Sequence, residues 1–152
     1  MRPHYETNRT RTGRYSEPGR IYLLTSMTKD RHAFFADWRV GALLAKQFEQ
    51  AGRDGLIENL AWVVMPDHFH WLVQLKDQLL SEVMARIKSK SNHLVNKALV
   101  RSGSIWQRGF HDRALRREED LIAIARYVVL NPVRAGLVKR VGDYPLWNAI
   151  WI

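Results

Sequence analysis

Two apolar runs, Ile57 to Met65 and Phe69 to Leu75, close on a turn at Pro66-Asp67, and they constrain this chain more than any other feature. Both have strand length, are rich in Val, Leu and Trp, and are bounded by turn residues, so they read as an antiparallel hairpin. His68 and His70 flank Phe69 at the start of the second run. Strand side chains alternate faces, so the two imidazoles point the same way, with Cα atoms roughly 7 Å apart. Phe69 and Trp71 then point to the opposite face, into a core. Two polar rings inside a strand are costly unless something engages them. The pair can reach one metal ion, and the alternative is two histidines hydrogen-bonded at a sheet edge.

The segments around the hairpin fix the architecture. Ile21 to Met27 alternates and reads as the first strand. Asp37 can cap a helix to about Gln50, with Val40, Leu43, Leu44 and Phe48 at helical spacing, and Gly52 to Gly55 is a turn. A long helix over about Leu80 to Val100 carries Leu80, Val83, Met84, Ile87, Leu94 and Ala98 on one face. A fourth strand is expected near Phe110 to Leu115. A further helix opens on the acidic turn Glu118-Glu119-Asp120 and runs to about Leu130; Pro132 disfavours helix at Asn131, and Gly136 can end the following turn. The order is β-α-β-β-α-β plus an additional C-terminal helix. This predicts an α+β, ferredoxin-like (RRM-like) antiparallel sheet with the histidine strand in its centre. Residues 1–19 read as a basic arm ending at Glu17-Pro18-Gly19, and 20–152 as a single domain with the aromatic tail packed on it.

Charge bears on the partner. Lys plus Arg number 24 against 15 Asp plus Glu, a formal charge of +9, which attracts polyanions. Arg86, Lys90, His93 and Lys97 form a stripe on the long helix, about 90° from its apolar face at about 100° per residue. A charge row is commonly a solvated face, but no carboxylate on the helix interrupts this one, which favours phosphate contact. Cysteine is absent, so disulfides and thiolate metal sites are excluded. No apolar run reaches membrane-span length, and no apolar signal core follows Met1 to Tyr5, so neither a membrane nor secretion is expected.

Tyr127 lies late in the last helix between Ala125 and Val128, and Asn131 follows four residues later. The two share a face if the helix continues, whereas Pro132 favours Asn131 as a cap. A helical tyrosine is ordinarily a core or interface residue. Zinc hydrolysis generally wants three protein ligands, and beyond the pair only Asp67, His111 and Asp112 offer themselves.

Met65-Pro66-Asp67-His68-Phe69-His70 resembles the His-hydrophobic-His signature of HUH nucleases. Arg126 to Gly136, with Tyr127 and Asn131-Pro132-Val133-Arg134, is similar to the nucleophile helix of single-tyrosine transposases. Trp106 to Arg113, Gly13-Arg14 and Glu17-Pro18-Gly19 look like the branch called REP-associated tyrosine transposases. The resemblance covers nearly the whole chain in the same order. It implies cleavage and rejoining of single-stranded DNA beside REP-type hairpins through a 5′-phosphotyrosine on Tyr127. His68, His70 and Asn131 would hold Mg²⁺ or Mn²⁺, and two imidazoles suit Mn²⁺ better. The stripe would follow the hairpin stem, and Arg11 and Arg14 would read a short guide sequence. A bacterial, cytoplasmic, nucleoid-associated protein acting as monomer or homodimer is implied. The rivals are a non-catalytic single-stranded nucleic-acid-binding module, a rolling-circle initiator or relaxase, and a metal-dependent phosphodiesterase without a covalent step.

Overall fold

The computed structural model describes residues 16–116 and 119–151. Arg11, Arg14 and Glu118 lie outside them. The elements run β1 (Ile21–Met27), α1 (Trp38–Arg53), β2 (Ile57–Met65), β3 (His68–Leu75), α2 (Leu80–Leu99), β4 (His111–Ala114), α3 (Leu121–Val129), the single turn α4 (Asn131–Arg134) and β5 (Trp147–Ala149). All neighbouring strands pair antiparallel in the order β4-β1-β3-β2-β5. The first four strands follow the ferredoxin-like order expected, with β1 and β3 central. Residues 16–19, read from the sequence as the end of a free arm, are tied to the body. Gly19 N–H donates to the Leu75 carbonyl at 2.7 Å, and Leu80 N–H donates to Ser16 Oγ at 3.0 Å, closing the start of α2.

Alternation along the strands sorts the core into two layers. Tyr22 and Leu24 of β1, Trp62 and Val64 of β2, and Phe69, Trp71 and Val73 of β3 bury against α1 and α2. Phe48 of α1 is the hub of this layer, with ring centroids 4.6 Å from Trp71 and 5.1 Å from Phe69. Close approach of the chain sets a limit on α1. A Cβ on Gly41 would lie 2.3 Å from Leu146 Cδ1, so any larger residue there must displace the Leu146 side chain. On the opposite face, Ala61, Val63, Met65 and Leu72 meet Ala125, Val128 and Val129 of α3. That face, bare in a two-helix ferredoxin-like sheet, is here partly roofed by the extra helix. The roof stops beside His68 and His70.

Asn59 locks β2 to both neighbours of the first layer. Its Oδ1 accepts from the buried Trp71 Nε1 at 2.6 Å, and its Nδ2 donates to the Phe48 carbonyl at 2.9 Å. Asn59→Ala leaves the buried indole N–H of Trp71 without its partner, and is expected to lower stability by about 1–3 kcal/mol. Urea unfolding checks this, and a midpoint equal to the parent's would show that the indole does not depend on Asn59.

Two local expectations change. The apolar face of α2 continues through Ser91 and Val95, not Leu94 and Ala98. Ser91 is buried because its hydroxyl donates to the Ile87 carbonyl at 2.7 Å and accepts from Trp106 Nε1 at 3.0 Å, so burial leaves no polar group unmet. The tail does pack, but as a strand: Trp147–Ala149 pairs with Ala61 to Val63. Among the described residues no helix is long and apolar enough to cross a membrane.

Candidate active site

The strand register builds the floor of the site. Met65 pairs with His68, so Pro66-Asp67 is a two-residue turn and β3 opens on its first histidine. Thr25 of β1 stands opposite His70 on one side and His111 of β4 on the other. Residues opposite one another share a face, so His111, Thr25 and His70 form one row and His68 sits one pleat away. The rings of His68 and His70 stand edge-on with centroids 5.1 Å apart.

Each imidazole is oriented from behind. Asp67 Oδ1 lies 2.8 Å from His68 Nδ1, and Thr25 Oγ1 lies 2.8 Å from His70 Nδ1. Burial opposes ionisation of Asp67, but hydrogen bonds from His68 and Arg31 outweigh it and hold the carboxyl below its usual range. An ionised carboxylate only accepts, so His68 carries its proton on Nδ1 and keeps a lone pair on Nε2. Burial lowers the His68 pKa despite Asp67. Burial also pushes His70 down to about 3, and the charges of His68, Arg134 and His111 add to the effect. Both rings are neutral at pH 7, the form in which imidazole binds a metal. A carboxylate behind a ligating histidine is a common metal-site arrangement. Asp67→Asn is therefore expected to weaken Mn²⁺ binding about 10–100-fold with little change in melting temperature. Titration by electron paramagnetic resonance reads this; a curve superimposing on the parent's removes Asp67 from the role.

Asp67 is held in turn by Arg31, whose Nε donates to Oδ2 at 3.0 Å. Arg31 and Asp30 both have φ near +55°, adjacent left-handed residues that cost about 1–2 kcal/mol each. Thr28 braces that turn: its hydroxyl donates to the His32 carbonyl at 2.7 Å, and its N–H donates to the Asp67 carbonyl at 3.0 Å. An open groove of about 810 Å³ begins at this turn, lined by Lys29, Arg31, Lys88, Asn92, Gln107 and Arg108 among others. Lys88 donates to the Gln107 and Gly109 carbonyls and fixes its outer wall.

The phenol arrives from the roof. Asp120 caps α3 by accepting from Ile122 N–H and Ala123 N–H. The burial of Ala125, Val128 and Val129 leaves Tyr127 on the helix edge, 51% exposed. Its ring centroid is 6.2 Å from that of His70. The chain itself thus brings its tyrosine and histidine pair together. Pro132 ends α3, and Asn131 opens α4 one turn beyond Tyr127. Arg134, at the end of α4, folds back with Cζ 3.9 Å from the Tyr127 ring centroid, and its Nη2 donates to the Tyr127 carbonyl at 2.6 Å.

Other expected residues lie apart. Arg86, Lys90, His93 and Lys97 are exposed on α2, across the sheet from the imidazoles. Arg86 is paired with Asp54 at 2.8 Å, a carboxylate the helix's own sequence does not contain. His111 shares the sheet face, but Thr25 separates it from His70. Among the described residues no group of three or more His, Cys, Asp or Glu side chains could hold a metal. The neutral imidazoles of His68 and His70 could hold a divalent cation whose other positions are open to oxygen donors, a set that suits Mn²⁺ better than Mg²⁺. Arg31 and Thr25 had no signal in the sequence taken alone, and Arg134 only its place in the motif that follows Tyr127. Asp67 had one, its adjacency to His68.

A family model described as "Transposase IS200 like" matches residues 19–131. A REP-associated tyrosine transposase of Escherichia coli (strain K12) is 35% identical over 95 residues, 61% of this chain. The match spans 54% of that relative's length. A solved structure of a REP-associated tyrosine transposase bound to a REP hairpin is 28% identical, with a TM-score of 0.73, covering 88% of this chain and 79% of that one.

Proposed function

The chain belongs to the IS200-like transposase family, and on that premise we propose that it cleaves and rejoins single-stranded DNA next to REP-type hairpins through Tyr127. The observation that carries the reading is the half-exposed phenol beside His70 on the one sheet face that holds both imidazoles. A buried core tyrosine would have no such access. The paired relative whose structure contains a REP hairpin supports the substrate class.

In this reading Tyr127 Oη attacks the scissile phosphorus and forms the P–Oη bond. The bond from phosphorus to the 3′ oxygen breaks, and that oxygen leaves as a free 3′-hydroxyl. The phenol proton passes to solvent, and the leaving 3′ oxygen takes one proton from solvent. One phosphodiester is exchanged for another, so the reverse attack by a 3′-hydroxyl rejoins the strand without ATP. His68, His70 and Asn131 would hold the divalent cation, with Asp67 and Thr25 fixing the imidazoles. When bound, that ion supplies Lewis-acid polarisation of a non-bridging phosphate oxygen. Tyr127 is held on α3 by the burial of its neighbours, which limits the ordering required at the moment of attack. The exposed cations of α2 would follow the hairpin stem through phosphate contacts, which position without specifying.

The test is direct. The protein is incubated with Mn²⁺ and a 3′-labelled single strand carrying a REP-type hairpin, then denatured. A labelled protein–DNA adduct that yields phosphotyrosine on digestion is expected. Cleavage with no adduct at any time point would replace this reading with a hydrolytic one.

A further inference from the structure

We propose that Arg134 is a catalytic contact of the reacting phosphate, delivered by the same turn that positions the phenol; this rests on the reading of Tyr127 as nucleophile. Three observations converge. Its guanidinium lies over the Tyr127 ring with Cζ 3.9 Å from the centroid. That ring lies beside the histidine pair, its centroid 6.2 Å from that of His70. Only Nη2 is engaged, on the Tyr127 carbonyl, and among the described residues its other N–H groups make no hydrogen bond. The sequence builds this placement locally. Pro132 breaks α3, α4 adds one turn, and Gly136 at φ +76° ends it, which turns Arg134 back over the ring two turns after Tyr127.

A phosphate bridging the phenol and the imidazoles would lie at the rim of that stack. Its two non-bridging oxygens carry charge that grows as the fifth bond to phosphorus forms. A cation on the imidazole pair can take one oxygen; the free N–H groups of Arg134 are placed for the other. A planar guanidinium suits that oxygen geometry, and its stacking on the ring means little ordering is left to do. Donors aimed at developing charge typically carry 10²–10³-fold of a rate.

The bland role is helix capping, since Arg134 also satisfies a carbonyl freed where α3 stops. The experiment separates the two. Single-turnover adduct formation is measured for the parent, Arg134→Ala and Arg134→Gln on two hairpin substrates, one natural and one with a neutral methylphosphonate at the scissile position. On the natural substrate Arg134→Ala is expected to form adduct about 10²–10³-fold more slowly, with hairpin and Mn²⁺ affinities within about 3-fold of the parent. Arg134→Gln, which can still donate to the Tyr127 carbonyl, is expected to fail alike. On the methylphosphonate, where the charge to be met is gone, the penalty should shrink to about 3-fold or less by the logic of a double-mutant cycle. Equal penalties on both substrates, or full recovery in Arg134→Gln, would overturn the proposal in favour of capping. A parent that forms adduct alongside an equally fast Arg134→Ala ends this inference only. A parent that forms no adduct ends both readings.

Discussion

Tyr127→Phe is expected to abolish the covalent protein–DNA adduct and to slow strand cleavage by on the order of 10⁴-fold or more. The variant removes one hydroxyl and nothing else of consequence. The ring keeps its place beside His70 and beneath Arg134, because the packing of Ala125, Val128 and Val129 decides where α3 sits. Since the ring is half exposed, stability should stay within about 0.5 kcal/mol of the parent. A denaturing gel with labelled hairpin reads adduct and cleavage in one lane. Unchanged cleavage in the variant would mean that water, not the phenol, attacks phosphorus.

His70→Ala is expected to be nearly as severe, losing on the order of 10³-fold or more in rate together with Mn²⁺ binding. The comparison with a chelator makes the result specific. Excess EDTA should bring the parent down to the same floor and leave the variant unchanged, because both remove one thing. His70 also bonds Thr25, so its loss carries a structural cost, and His70→Gln with a recorded melting temperature serves as the control. A parent indifferent to EDTA would contradict the metal reading whatever the variants do.

The sheet was legible because its strands carry period-two patterns long enough to register, and because a hairpin between two long crossovers leaves few topologies. β5 was not, since Trp147–Ala149 is too short to show a period. The register of β3 placed His68 and His70 on one face directly from spacing. What lay beyond reach was everything set by packing between distant segments. Asp54 reaches Arg86 from the end of another helix. Thr25 meets His70 because β1 pairs with β3 in one register, and a slip of one residue would have put Ser26 there. The place of Tyr127 followed from its helix only in part. That the helix would roof the histidine face, rather than extend α2's layer, depended on which apolar face of the sheet remained uncovered. Asn131 is not the cap that the proline implied: Leu130 holds that place between α3 and α4, and Asn131 opens the new turn.

The two-sided sheet has a consequence for the shape of any substrate. On the proposed reading, with the stem docked along Lys90 and Lys97, a phosphate at Tyr127 would lie on the other side of a slab one helix and one sheet thick. Paired DNA has a persistence length of about 150 base pairs, so rounding such an edge would cost it several kcal/mol. Unpaired strand makes the turn at far less cost. The protein would therefore work as a calliper, its own thickness setting how many loose nucleotides separate the last base pair from the cut.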